Sequence, residues 1–289
     1  MSRLINILDE ARIKPYLIAE IGINHNGDIG IAKRLIDAAY ACGWGCVKFQ
    51  KRNPDVCVPE KQKGVMRQTP WGEMKYIDYK YKIEFERKQY DIIDDYSKAK
   101  PIDWTVSVWD TDSLEFIKQS DYEVPFIKIP SAKLTDIELL RRVGESGLDC
   151  IISTGMADWK IVDEAVREIE RHKVTYALLH CNSSYPAPHS ELNLSVIPEM
   201  KKRYGCSVGY SGHEYDLGPS EVAVAIGADI IERHVTLDHN MWGTDQSCSL
   251  EVSAMDMLEK RTGSIRQMLG EPQKYITDSE KPFVDKLRG

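Results

Sequence analysis

Short apolar runs alternate along the chain with longer segments whose apolar residues recur at helical spacing. The runs predict strands at YLIAEIG (16–22), CVKFQ (46–50), WTVSVW (104–109) and FIKIP (126–130). Four more follow at CIISTG (150–155), YALLHC (176–181), CSVGYS (206–211) and IIERHV (230–235). Amphipathic helices fall between them: IAKRLIDAAYACG, FERKQYDIIDDYSKA, DSLEFIKQ, DIELLRRVGES, DWKIVDEAVREIERH, LSVIPEMKKRYG and LGPSEVAVAIGA, with SAMDMLEKRTGSIRQML closing the series. Eight strand-helix units in 289 residues predict an α/β chain folded as one (β/α)8 TIM barrel over residues 1–289. An open doubly wound sheet would carry a Gly-rich dinucleotide turn after its first strand, and IGINHNGDIG lacks G-x-G-x-x-G.

Two regions break the repeat. Residues 51–83 are too long for an ordinary βα loop and mix aromatic with charged residues, which suits a lid over the catalytic face or an oligomer contact. The tail EPQKYITDSEKPFVDKLRG is polar and short, so no second domain is expected. The first residues hold no apolar segment long enough for a signal or a membrane span. A formal charge of -7 argues against a nucleic-acid surface but is compatible with a local cationic pocket for an anionic substrate. Seven cysteines without a C-x-x-C pair fit a reduced, cytoplasmic chain. We expect a homo-oligomer with no membrane partner.

A barrel of this kind gathers its chemistry at the C-terminal ends of its strands. Those ends carry Glu20, Asn24 and His25, then Lys48 and Gln50, Ser107 and Asp110, Lys128, Ser131 and Lys133. The later strands add Ser153 and Thr154, His180 with Ser183 and Tyr185, Ser211 with His213, and Glu232 with His234. Lysines inside apolar strands are costly to bury without an anionic partner, so Lys48 and Lys128 point to a phosphate or carboxylate ligand, with pairing to Glu20 or Glu232 as the alternative. Ser131, Ser153, Ser183 and Ser211 offer hydroxyl donors to phosphate oxygens. His213 and His234 end neighbouring parallel strands of a βαβ unit and can share one metal, although a lone histidine is more often structural. No G-x-S-x-G elbow supports a serine hydrolase.

Taken together, AEIGINHNGD (19–28), VKFQ (47–50), KIPS (128–131), ISTGM (152–156), LLHCNSSYP (179–186), VGYSGHE (208–214) and IERHVTLD (231–238) make the chain resemble the N-acetylneuraminate (sialic acid) synthase family. The resemblance implies condensation of phosphoenolpyruvate with an open-chain aldose to a 3-deoxy-2-keto sugar acid and phosphate. It implies a divalent metal, commonly manganese with magnesium or cobalt as substitutes, held by His213 and His234. Lys48, Lys128, Ser131, Ser153, Ser183 and Ser211 are then the phosphoenolpyruvate contacts. Gln50, Lys133, Tyr185 and Asp245 line the sugar end, and Glu20 orients water, moves a proton or partners a lysine.

Three departures bear on the acceptor. The C-terminal antifreeze-like domain of many such synthases, which supplies an arginine to the acetamido sugar, has no counterpart in this sequence. The third strand ends SVWD, with Val108 where a phosphoenolpyruvate-side hydroxyl is usual. After KIPS come Ala132 and Lys133 in place of glycine and an acidic residue. N-acetylmannosamine is therefore expected to be a poor acceptor. The alternatives are an octulosonate-type synthase using a different or anionic aldose, and a non-catalytic sugar-binding barrel.

Overall fold

The structure is a computed structural model that describes residues 2–288. Eight parallel strands close into a barrel in chain order: β1 (Tyr16–Gly22), β2 (Cys46–Lys51), β3 (Asp103–Val108), β4 (Ile127–Ile129), β5 (Cys150–Ser153), β6 (Tyr176–Cys181), β7 (Ser207–Gly212) and β8 (Ile230–His234), with β8 pairing back on β1. All eight expected strands form, with ends shifted by at most two residues. The helices between them bury the face that their periodicity predicts. In Trp159–Glu170, for example, Val162, Ala165, Val166 and Ile169 are buried. Aspartates set where several of these helices start, since Asp110, Asp136 and Asp158 each accept a hydrogen bond from the backbone N–H three residues on. Each such cap contributes about 1 kcal/mol.

Strand alternation divides the core into two layers. Odd positions of β1 and their equivalents (Leu17, Ala19, Val47, Phe49, Val106, Ile152) pack outward against the helices. Even positions fill the barrel, and its lower part is apolar: Ile18, Cys46, Phe126, Ile151, Leu179 and Ile230. A helix left unassigned by the sequence pattern, Arg3–Ala11, inserts Leu4, Ile7 and Leu8 into that layer and closes the bottom of the barrel. Above the apolar layer the same alternation turns polar, with Glu20, Lys48, Lys128 and Glu232 all buried.

Residues 51–83 fold as two single-turn helices (Pro54–Cys57 and Glu60–Lys63), a hairpin (Met66–Thr69 with Gly72–Lys75) and the helix Tyr76–Ile83. The insertion packs at the C-terminal end of the barrel. Tyr79 meets Trp242, in the loop after β8, edge to face at 5.1 Å between ring centroids. The loop after β1 approaches its last turn so closely that a Cβ on Gly27 would lie 2.4 Å from the Lys82 carbonyl oxygen. The chain's last segment holds a further short helix, Lys281–Arg288, where only a polar tail was expected. Among the described residues no helix is long and apolar enough to cross a membrane.

Candidate active site

Register brings the buried charges to one level. Glu20 pairs in the sheet with Lys48 on one side and His234 on the other, and Glu232 pairs with Ser211. The Lys48 ammonium lies 2.6 Å from Glu20 Oε2 and 3.7 Å from Glu232 Oε2, while the Lys128 ammonium lies 3.9 Å from Glu232 Oε1. Gln50 Nε2 donates to the other Glu20 oxygen at 2.8 Å. Lysine pairing thus leaves room for a ligand, because these same lysines face an open cavity of about 210 Å³.

The two ammonium groups differ electrostatically. Burial works against the Lys48 charge, but Glu20 and Glu232 outweigh it and hold Lys48 above the ordinary lysine value. Lys128 is lowered by burial, which Glu232 only partly offsets and the Lys48 charge reinforces. Its hydrogen bonds go to neutral oxygens, Ser153 Oγ at 2.5 Å and the Ile129 carbonyl at 3.2 Å. Glu232 feels burial as an upward push, yet Lys128, Lys48 and the Ser211 hydroxyl hold it below the usual glutamate value. The upper barrel therefore holds a buried network in which Lys128 is under-neutralised, and an anion in the cavity would complete it.

The hydroxyl residues divide into committed and available groups. Ser211 donates to Glu232 Oε1 at 3.0 Å, which leaves its hydrogen engaged. Ser131 Oγ accepts the Gly155 N–H at 2.9 Å, so its own hydrogen remains to be donated. Gly155 permits this approach, because a Cβ there would fall 2.3 Å from Ser183 Oγ and 2.8 Å from Ser131 Oγ. Gly155→Ala is accordingly expected to displace both hydroxyls and raise KM for an anionic substrate by about 10-fold, the loss of one charge-assisted hydrogen bond, with little change in Tm; steady-state kinetics and thermal unfolding check this.

His213 and His234 line the same cavity with their ring centroids 5.6 Å apart. His213 Nδ1 donates to the Asn182 carbonyl at 2.7 Å, which leaves Nε2 with its lone pair. His234 is lowered by burial, despite Asp245 and Glu20; its Nδ1 is buried with no hydrogen-bond partner, 3.9 Å from Asp245. An orphaned ring nitrogen and a fixed tautomer are the features of a metal-binding pair. Among the described residues no group of three His, Cys, Asp or Glu side chains converges, so a metal here would complete its shell with water or substrate. Burial opposes ionisation of both His213 and Cys181, but facing each other at 3.8 Å they raise the imidazole and lower the thiol.

The remaining expected residues separate by strand face. Tyr185 lines the cavity with its ring 4.0 Å from that of His213, and Gln50 lines it too. Lys133 is not among the lining residues and pairs with Asp136 at 3.3 Å, whereas Ala132 lines the wall. Asp245 stands behind His234, outside the lining. Val108 is buried in the outer layer against the helices, so the strand end presents Ser107 and Trp109 to the cavity, and the missing hydroxyl at 108 has no bearing there. His180 also falls on the outer face, bonded to the Leu192 carbonyl at 2.7 Å. His25 is a packing residue, stacked on Phe85 at 3.9 Å and lowered by burial to about 3. Asn24 ties the loop after β1 to Val235 and Ser249.

Sequence reasoning missed an anchor behind the histidines. Arg233, on the outer face of β8, is fully buried and reaches Glu214 Oε1 at 3.0 Å and Ser220 Oγ at 3.0 Å, while Tyr210 donates to the other Glu214 oxygen at 2.8 Å. These bonds fix the turn that carries His213. The available signal was a charged residue at an outward strand position beside Glu232 and His234, which requires a buried partner.

A sequence model of the NeuB family matches residues 35–274. The chain is 34% identical over 275 residues to N-acetylneuraminate-9-phosphate synthase of Mus musculus, covering 94% of this chain and 76% of the relative. It is 33% identical over 282 residues to N,N'-diacetyllegionaminic acid synthase of Campylobacter jejuni, covering 95% and 83%. The N-acetylneuraminic acid (sialic acid) synthetase of Leptospira borgpetersenii, solved with citrate, superposes with a TM-score of 0.84 at 31% identity, over 95% of this chain and 93% of that one. By the length of these matches and by a barrel whose buried charges occupy one end, the chain belongs to the NeuB family.

Proposed function

We propose that this chain is a transferase that condenses phosphoenolpyruvate with an open-chain aldose, giving a nonulosonic or related 3-deoxy-2-keto sugar acid and phosphate. The observation that carries the reading is the presence of two buried ammonium groups, Lys48 and Lys128, and two histidines in one cavity. In this reaction C3 of phosphoenolpyruvate bonds to the aldehyde carbon, water adds at C2, and phosphate leaves by C–O cleavage. Lys128, left under-neutralised by Glu232, meets the substrate's phosphate and carboxylate charge, and Ser131, Ser153 and Ser183 supply hydroxyls around it. Lys48 pairs with Glu20 and Glu232, and Glu20, fixed on its other oxygen by Gln50, is placed to accept a proton from water. Tyr185 covers His213 and bounds the aldose end.

His213 and His234 would hold a divalent metal, manganese in the first instance, which when bound supplies Lewis acidity to a carbonyl oxygen. The Asn182 carbonyl orients His213, and the Arg233–Glu214 pair holds the turn beneath it. The named products of the relatives differ in phosphate and nitrogen substituents, so kinship supports the class of product without choosing the acceptor.

Incubation with phosphoenolpyruvate, Mn2+ and a panel of neutral and phosphorylated aldoses tests the reading. We expect equimolar phosphate and a product whose mass equals aldose plus pyruvic acid. Phosphoenolpyruvate that stays intact with every aldose and with Mn2+, Mg2+ and Co2+ alike would refute it.

A further inference from the structure

We propose that the chain holds a second small-molecule site, on the outer face of β5 and β6, for an uncharged planar aromatic molecule bearing one hydrogen-bond donor, and that its occupancy tightens phosphoenolpyruvate binding through Met156. The second half of the inference rests on the condensation reading, because it takes Ser131 as a phosphoenolpyruvate contact. The site is a cavity of about 240 Å³ lined by the helices Trp159–Glu170 and Val196–Tyr204 and by the segment after β5. It shares only Met156 and Cys181 with the catalytic cavity. Its apolar wall is Trp159, Val162, Val196 and Met200, with Met156 beside them. Trp159 and Met156 stay 39% and 67% exposed, so large apolar surface lies uncovered there. A dry protein cavity of ~150 Å³ accepts benzene, so this larger one has room for two fused rings.

The lining chemistry selects the occupant. Among the described residues no lysine or arginine lines the cavity, so phosphoenolpyruvate or a sugar phosphate would find no counter-charge in it. Arg203, close by, is already engaged: it pairs with Asp163 at 2.9 Å and lies 5.1 Å over the Trp159 ring. With Tyr204 at 6.4 Å between centroids, it fixes that ring before any ligand arrives. A preset ring wall and two thioethers, Met156 and Met200, suit an aromatic molecule. On the polar side His180 Nε2 donates to the Leu192 carbonyl at 2.7 Å, which leaves the lone pair on Nδ1, without a partner among the described residues. Asp158 Oδ1 is occupied by the Ile161 N–H at 3.0 Å. A single donor on the ligand therefore completes His180.

Met156 carries the occupancy inward. It is a non-glycine residue at a φ of 58°, a left-handed conformation that persists only where its surroundings hold it. Its neighbour Gly155 gives its N–H to Ser131 Oγ at 2.9 Å. A ring packed on the Met156 thioether adds contacts that exist only in this conformation. It thereby holds the Gly155–Ser131 bond and keeps the Ser131 hydrogen free for the anion.

Calorimetric titration with indole and with 1-methylindole, which lacks the N–H, tests the site. The expected result is one-to-one binding of indole with a Kd of about 0.1 mM, and binding about 10-fold weaker for 1-methylindole. Val196→Phe fills this cavity and does not line the catalytic one, so it should lose indole and keep its phosphoenolpyruvate affinity. With indole bound, phosphoenolpyruvate titrated in the presence of Mn2+ should bind about 5-fold tighter, and phosphoenolpyruvate should tighten indole by the same factor. Absence of indole binding, equal affinities for the two probes, or indole binding undiminished in a folded Val196→Phe protein overturns the site. If that variant does not fold, the two probes on the wild type decide it. A phosphoenolpyruvate affinity unmoved by saturating indole overturns the coupling. Should phosphoenolpyruvate not bind at all, the condensation reading fails, and indole against 1-methylindole still decides the site.

Discussion

Replacing Lys128 with methionine is expected to lower kcat/KM for phosphoenolpyruvate by about 10²- to 10³-fold while the barrel stays folded. Methionine retains the length and apolar stem of the side chain, so the layer between β3 and β5 remains filled. What disappears is the ammonium whose bonds go to Ser153 and a carbonyl and whose nearest carboxylate is 3.9 Å away. Glu232 keeps Lys48 and the Ser211 hydroxyl, so the loss falls on the incoming anion. Lys48 is a different case. Its removal leaves Glu20 buried without an ion pair and Glu232 with Lys128 alone at 3.9 Å, and breaking a buried pair of this kind costs about 3–5 kcal/mol. Steady-state kinetics with thermal unfolding separates the two: Lys128→Met should lose catalysis with little change in Tm, and Lys48→Met should lose both. A Lys128→Met protein within about twofold of wild-type kcat/KM would remove the anion pocket from the reading.

His234→Ala is expected to reduce turnover at least about 10³-fold and to abolish Mn2+ binding measured by calorimetry, with thermal stability close to wild type. The histidine ends β8 with its Nδ1 orphaned, so truncation removes no hydrogen bond from the fold. His213→Ala should give the same pair of losses together with a modest drop in Tm, because His213 bonds Asn182 and stacks under Tyr185. Retained Mn2+ affinity in both variants would place the metal elsewhere and return the histidines to a structural role.

The fold was readable to an unusual depth because the barrel repeats one signal eight times, an apolar strand followed by an amphipathic helix. What escaped was non-repeating. Arg3–Ala11 has a helical pattern, but only the open bottom of the barrel shows why its leucines are buried. Residues 51–83 could be read as too long for a connection, yet the packing of their last helix, Tyr76–Ile83, on Trp242 and the loop after β1 appears only in the structure.

For the site, position within a strand was the decisive quantity. Glu20, Lys48, Lys128, Glu232 and His234 occur at strand ends in the sequence, and period-two alternation puts them on the inner face together. The same rule turns Val108, His180 and Arg233 outward, a distinction that strand ends in the sequence mark only to within a residue or two. Loop residues follow no such period. Lys133 and Asp245 therefore lie off the cavity wall and Tyr185 on it. The sequence by itself determined the barrel and its inventory of buried charges, because hydrophobic periodicity and the cost of burying a lysine are local properties. Which charges are neutralised and which nitrogen is left free were decided only by the tertiary structure, since each depends on distances between strands far apart in the chain.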